Sequence, residues 1–140
     1  ARPGAESRHN LVYWRYQPYA GLGPGAHGRL ARARRRHATV AVRAPEAWLD
    51  RVEAAGHGIE TIVPIPPADQ GAEMLMMGLR LSEGVSLGRF AALAGPSAPR
   101  EERIAALAAD GLIVREGDRL RATARGRLVL NAVLAELLSG

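Results

Sequence analysis

The sequence predicts an α+β protein built in two parts. In the first part, the alternation over 38–42 (ATVAV) favours β-strands, because successive strand residues face opposite sides. In the second part, Leu- and Ala-rich segments repeat at helical spacing. Between them, Pro64, Pro66 and Pro67 precede Gly71, and proline and glycine interrupt regular structure. We therefore place one domain at 1–66, a linker at 67–71 and a second domain at 72–140.

The first domain begins with a short helix and a glycine-rich loop. Asn10 is a preferred N-cap residue and predicts a helix that runs to Trp14 or Arg15. Residues 19–28 then contain four glycines and a proline, a composition that excludes regular helix.

A hairpin, a helix and a further strand follow. Residues 29–42 predict two strands joined near 34–36. Pro45 suits the first turn of a helix, and Gly56 suits its end. The apolar segment 59–65 predicts the next strand.

The second domain has the element order of a winged helix. A first helix contains Met74 and Leu75, Ser86 caps a second, and Pro99 begins a third. The turn residues 116–118 (EGD) predict a β-hairpin, and Thr123 caps a last helix with an apolar stripe that extends to Leu138. Helix, helix, helix, hairpin, helix is the order expected of a winged-helix-like domain.

Composition excludes several chemistries. The 140 residues contain no Cys, so this chain supplies no disulfide, thiol nucleophile, zinc–thiolate site or iron–sulfur ligand. No apolar run approaches the roughly 20 residues of a membrane span. The net charge of +5 permits anionic partners. However, the candidate recognition helix at 100–110 is net negative, so no specific nucleic acid is expected.

Two local motifs are weak on their own. Residues 23–28 satisfy GxGxxG, but an arginine-rich, extended segment follows where a dinucleotide site needs a helix N-terminus. The four histidines His9, His27, His37 and His57 lack the spacing of a zinc site. The glycines still permit close approach of a ligand to the backbone.

Several motifs taken together resemble a known family. Residues 9–14 read HNLVYW (HNxxYW), 21–28 read GLGPGAHG, 73–80 read EMLMMGLR and 123–131 read TARGRLVLN. In this order they resemble the C-terminal third of the oxygen-independent coproporphyrinogen III oxidase family of radical SAM proteins. HNxxYW favours the HemW branch, which is regarded as a heme chaperone.

The resemblance implies a fold and cofactors for the complete protein. Residues 1–66 would be the tail of a partial β/α radical SAM barrel, followed by a linker and the winged-helix-like domain. The full protein would carry a 4Fe–4S cluster on a CxxxCxxC motif, S-adenosylmethionine and heme. Because this chain has no Cys, we expect it to be a C-terminal fragment that cannot be active alone.

The resemblance also implies site residues. His9 with Asn10, Tyr13 and Trp14 would bind heme: an imidazole can ligate its iron, and the two rings offer flat apolar surface. The alternative is that His9 only caps or packs locally. Gly23, Pro24, Gly25 and Ala26 would form a loop near S-adenosylmethionine or substrate. No catalytic residue is expected in this chain.

The same resemblance implies a function for the protein. The expected function is binding and transfer of heme in the cytoplasm to a heme-receiving protein. One alternative is oxidative decarboxylation of coproporphyrinogen III, and another is a winged-helix DNA-binding module. Unpaired strand edges also predict a homo-oligomer.

Overall fold

The computed structural model describes residues 7–32 and 35–139. Contacts divide them into two units, one formed by 17–65 and the other by 7–16 together with 66–139. Helices and strands occur in both units, so the predicted α+β class is confirmed. In chain order the elements are α1 (Arg8–Trp14), β1 (His27–Arg32), β2 (Arg35–Ala41), α2 (Pro45–Ala55), β3 (Ile59–Pro64), α3 (Pro67–Gly78), β4 (Val85–Ser86), α4 (Leu87–Ala94), a 3₁₀ turn (Gly95–Ser97), α5 (Glu101–Ala109), β5 (Ile113–Glu116), β6 (Arg119–Ala122), α6 (Ala124–Leu128) and α7 (Leu130–Leu138).

The unit 17–65 is a three-stranded antiparallel sheet with one helix. The strand order is β1-β2-β3, and α2 connects β2 to β3. Pro45 lies in the first turn of α2, and Gly56 ends it with a left-handed φ of 74°. The predicted hairpin, helix and strand are therefore present. The junction of the hairpin, at 33–34, lies outside the described residues.

The second unit combines six helices with a small sheet of order β4-β6-β5. Three sequence signals act as expected. The Ser86 Oγ accepts a hydrogen bond from the Arg89 N–H at 3.1 Å and caps α4. Gly117 turns the β5–β6 hairpin with φ 58°. The Thr123 Oγ1 accepts from the Gly126 N–H at 3.0 Å and caps α6.

The core of this unit is one apolar cluster. It joins residues of α3, α4, α5 and α7 to the small sheet, and it also contains Tyr16 from the segment after α1. Its most buried large side chains are Phe90, Leu75, Leu79, Ile113, Leu120, Leu137, Val85 and Val133. Burial of such side chains is the main favourable term in folding. The segment 7–16 therefore shares its core with the C-terminal part of the chain.

Three boundaries differ from the sequence expectation. Residues 67–71, expected as a linker, begin α3, and Gln70 and Gly71 are buried there. Proline is tolerated in the first turn of a helix, so Pro67 starts α3 directly after the division of the two units between 65 and 66. The segment 7–16, expected within the first domain, groups with 66–139.

The last helix is broken at Val129, whose N–H bonds to the Gly126 carbonyl at 3.2 Å in a tighter turn.

Candidate functional site

The four residues expected to bind heme lie together on α1. His9 and Asn10 are exposed, whereas Tyr13 and Trp14 are half-buried. His9 and Tyr13 are four residues apart and so share a helix face. The Tyr13 hydroxyl lies 3.1 Å from the His9 Nε2, and the two rings meet edge to face with centroids 4.9 Å apart. The structure thus presents an imidazole at the surface, beside a tyrosine ring.

The helix that carries these residues has little stability of its own. It has only seven residues, and isolated helices shorter than about 12–15 residues are marginal in water. It begins at Arg8 after Ser7, with no side-chain cap hydrogen bond and no acidic residue in its first turn. Asn10, expected as the N-cap, lies inside the helix instead. The order of α1 must therefore come from contacts outside it.

Contacts that the sequence did not indicate hold the C-terminal end of α1. The Arg89 guanidinium donates to the Arg15 carbonyl at 2.6 Å and to the Tyr16 carbonyl at 2.7 Å. The Arg15 guanidinium in turn donates two hydrogen bonds to the Glu83 carboxylate, at 2.8 and 3.0 Å. Each partner is about 70 residues away in sequence, so no local pattern could have indicated the pair.

Tyr16 anchors the same end of the helix in the core. Its side chain is only 4% exposed, and its hydroxyl donates to the Glu73 Oε2 at 2.8 Å. Its φ of 51° is left-handed, a conformation that residues other than glycine adopt at a cost in free energy. Burial of the ring and the hydrogen bond to α3 offset this cost, so the end of α1 is fixed at a strained but well-held residue.

The first turn of α4, which carries Arg89, is itself capped by Asp118. The Asp118 carboxylate accepts from the Ser86 hydroxyl at 2.6 Å and from the Gly88 N–H at 2.8 Å. These bonds, first the one from Ser86 and then the one from Gly88, hold the pKa of Asp118 below its ordinary value. A carboxylate at a helix N-terminus also interacts favourably with the helix dipole.

The loop expected to lie near S-adenosylmethionine belongs to the other unit, 17–65. Gly23 and Gly25 have φ of 99° and 69°, which only glycine adopts readily. The Gly25 N–H donates to the Val42 carbonyl at 2.8 Å, and the Ala26 N–H donates to the Gly23 carbonyl at 3.3 Å. Those two N–H groups are thus used within the unit, while a Cβ added at Gly23 would meet open space.

Two further glycines of this loop are required by packing. A Cβ at Gly21 would lie 2.5 Å from the His27 carbonyl oxygen, and one at Gly28 would lie 2.5 Å from the Thr39 Oγ1. The glycine pattern over 21–28 therefore has local structural causes. The four residues of α1 form one cluster, and the residues 23–26 form a separate loop in the other unit.

Residues 7–32 and 35–139 contain neither a membrane-spanning helix nor a cluster of metal ligands. None of the helices there combines the length and apolar character needed to cross a bilayer. These residues also contain no group of three or more His, Cys, Asp or Glu side chains placed to hold a metal ion.

Comparisons with known proteins agree on one group of relatives. Residues 65–129 match the family described as "HemN C-terminal domain". The chain is 34% identical to the bovine (Bos taurus) "Radical S-adenosyl methionine domain-containing protein 1, mitochondrial". The alignment covers 99% of this chain and 34% of that protein. It is 35% identical to the "Heme chaperone HemW" of Mycobacterium tuberculosis, over 98% of the chain and 33% of that protein. For the protein of that name in Bacillus subtilis the identity is 33%, over 99% of the chain and 36% of the relative.

One solved structure shares the fold. It is the Escherichia coli protein described as "Coproporphyrinogen III oxidase (HemN) from Escherichia coli is a Radical SAM enzyme", with a TM-score of 0.59 and 16% identity. The match covers 99% of this chain and 35% of that one. The chain thus spans about a third of the length of the relatives that it matches.

Proposed function

We propose that the chain is the C-terminal part of a HemW-like protein of the radical SAM coproporphyrinogen III oxidase family and that it binds heme for transfer to another protein. The similarity to the HemN C-terminal domain and to heme chaperones supports this. His9 is the proposed axial ligand, with Asn10, Tyr13 and Trp14 around it. The observation that carries the proposal is the exposed His9 imidazole beside the half-buried Tyr13 on α1, the helix that also carries the half-buried Trp14. A porphyrin supplies four nitrogens to its iron, so a single imidazole suffices without a cluster of metal ligands.

The residues present fit heme but not an iron–sulfur cluster. The chain has no Cys, so a 4Fe–4S cluster of the CxxxCxxC type would need thiolates from outside these 140 residues. S-adenosylmethionine would bind that cluster, and we propose that the loop of Gly23, Pro24, Gly25 and Ala26 faces this cofactor or the substrate. The support for that role is the resemblance alone, since packing and left-handed φ already account for the glycines.

The chaperone function is favoured over the decarboxylating enzyme. Relatives named as heme chaperones are 30–35% identical over nearly the whole chain, whereas the solved oxidase is 16% identical. The proposed location is the cytoplasm, although the relatives include mitochondrial proteins as well as bacterial ones.

We propose that residues 72–140 form a winged-helix-like domain that supports α1, rather than a DNA-binding module. The order β4, α4, α5, β5, β6 with sheet order β4-β6-β5 is consistent with that description. On α5, Glu101 pairs with Arg115, and the one arginine, Arg103, pairs with Glu136. This helix therefore lacks the free basic residues that a phosphate backbone requires.

Heme titration followed by the Soret absorbance tests the proposal. We expect the chain to bind ferric heme with the spectrum of an imidazole-ligated iron, and we expect His9→Ala to lose that spectrum together with at least about tenfold in affinity. Removal of the only proposed protein ligand leaves apolar contacts with Tyr13 and Trp14 alone.

His57→Ala is the matched control. His57 is also exposed and lies in the turn between α2 and β3, so its loss should leave the spectrum and affinity of the wild type. Equal heme binding by wild type and His9→Ala would contradict the assignment of His9, and absence of binding by the wild type would contradict the function.

A further inference from the structure

We propose that Arg89 is a positioning residue for heme binding, which it controls by ordering α1 from the first turn of α4. This inference rests on the proposed function of α1. It gives α4 a specific task, which is to hold the HNxxYW helix in the geometry that presents His9, Tyr13 and Trp14. Arg89 itself is not proposed to contact heme.

Arg89 supplies hydrogen bonds at the C-terminal end of α1. The last carbonyls of any helix lack partners within the helix, and cationic side chains are favourable there. The Arg89 guanidinium spans the two carbonyls that follow α1, at 2.6 and 2.7 Å from the Arg15 and Tyr16 oxygens. One planar group thus bonds two consecutive carbonyls, a geometry that the rigid fork of arginine provides and a single ammonium does not.

Arg89 is held in place by its own helix. It lies in the first turn of α4, and its N–H is the group that the Ser86 hydroxyl oxygen caps. The Ser86 hydroxyl and the Gly88 N–H bond the Asp118 carboxylate in the β5–β6 turn. A residue on a capped helix turn positions its guanidinium more precisely than one on a loop.

Helix α1 depends on contacts from outside it. Its seven residues carry no side-chain cap and no buried residue, so its intrinsic stability is low. Tyr16, which follows Arg15, has a left-handed backbone conformation that persists only while surrounding contacts hold it. Because Arg89 bonds the carbonyls of both residues, its removal should release α1 with limited effect on the core.

The test compares Arg89→Met, Arg89→Lys and Arg100→Met in the whole chain. Arg100 is an exposed arginine before α5, in the same unit, so it controls for loss of one positive charge. Hydrogen–deuterium exchange of the 8–16 segment reports the order of α1, exchange of α3 and α4 reports the core, and Soret titration reports heme affinity and iron ligation.

We expect Arg89→Met to raise exchange in 8–16, to leave exchange in α3 and α4 near wild type, and to weaken heme binding on the order of tenfold, the scale for groups that orient a metal ligand. Arg89→Lys should be intermediate, because an ammonium can bond one carbonyl at a time. Arg100→Met should match wild type in all three measurements.

The outcomes separate this inference from the function beneath it. Unchanged exchange in 8–16, or unchanged heme affinity in a protein that needs His9, would overturn the role of Arg89. If the wild type binds no heme, or His9→Ala binds as well as wild type, the proposed function fails and the positioning role for heme fails with it. The exchange measurement then shows separately whether Arg89 orders α1.

Discussion

At the residue scale, the contact between Tyr13 and His9 affects the proposed ligation of heme iron by His9. The Tyr13 hydroxyl lies 3.1 Å from Nε2, one of the two imidazole nitrogens through which histidine binds metals. Ligation through Nε2 requires this hydrogen bond to break. The aromatic ring itself is useful to a porphyrin, so the hydroxyl and the ring of Tyr13 act in opposite directions.

Tyr13→Phe separates these two effects. It keeps the ring and removes the hydrogen bond, so we expect heme affinity to rise by about two- to tenfold, the value of one neutral hydrogen bond. Soret titration measures the change. Tyr19→Phe, at a half-buried tyrosine of the other unit, should leave affinity unaltered. A fall in affinity with Tyr13→Phe would instead mean that the hydroxyl supports ligation.

The residues of the proposed heme site could be named from the sequence, but the residue that orders them could not. His9, Asn10, Tyr13 and Trp14 are contiguous enough to form a recognisable motif, and α1 presents them within two turns. Arg89 contacts the same helix from 74 residues away. A pairing of that separation arises only when the core forms, and one sequence carries no record of it.

At the element scale, α4 depends on a carboxylate of another element. The hydrogen bonds that lower the pKa of Asp118 are made by Ser86 and then by Gly88. A carboxyl group with a lowered pKa stabilises the folded state above its unfolded pKa, and this contribution is lost as the pH falls through the folded value.

We therefore expect the free energy of unfolding to fall with acid below about pH 4, the ordinary pKa region of aspartate. Asp118→Asn should be less stable than wild type at pH 7 and should lose less stability on acidification. Urea denaturation at several pH values measures both. Asp110→Asn removes an exposed carboxylate at the end of α5 and serves as control; an equal change of pH dependence there would contradict the role of Asp118.

Local signals predicted elements better than they predicted tertiary packing. Ser86, Gly56 and Thr123 each act through bonds or dihedral angles within a few residues, so their helix ends were predictable. The prolines before α3 suggested a linker, but Gly71 lies so close to α4 that a Cβ there would be 2.6 Å from the Ala94 Cβ. Such close packing of two helices is a tertiary fact that composition does not express.

At the scale of the whole molecule, β3 offers an edge for association. It is the outer strand of the order β1-β2-β3, and Ile62 and Val63 are 51% and 56% exposed. Exposed apolar strand edges pair readily with other strands. We propose that the predicted homo-oligomer forms through this edge.

Val63→Lys tests that proposal, because a charge on an edge strand opposes pairing. We expect wild type to elute earlier with rising concentration in size-exclusion chromatography and Val63→Lys to elute at one volume. Ala54→Lys places the same charge on an exposed position of α2 and should behave as wild type. Concentration-independent elution of wild type would contradict association.

The hydrogen bonds that join Glu83 and Arg89 to the C-terminal end of α1 also have a consequence for the order of events during synthesis. Arg15 and Tyr16 leave the ribosome well before Glu83 and Arg89, their partners 68 to 74 residues later. At about 5–20 residues per second this delay is roughly 4–15 s. Before α4 is made, α1 lacks the hydrogen bonds that Arg89 donates to its C-terminal end, so the proposed heme capture must wait for translation of α4.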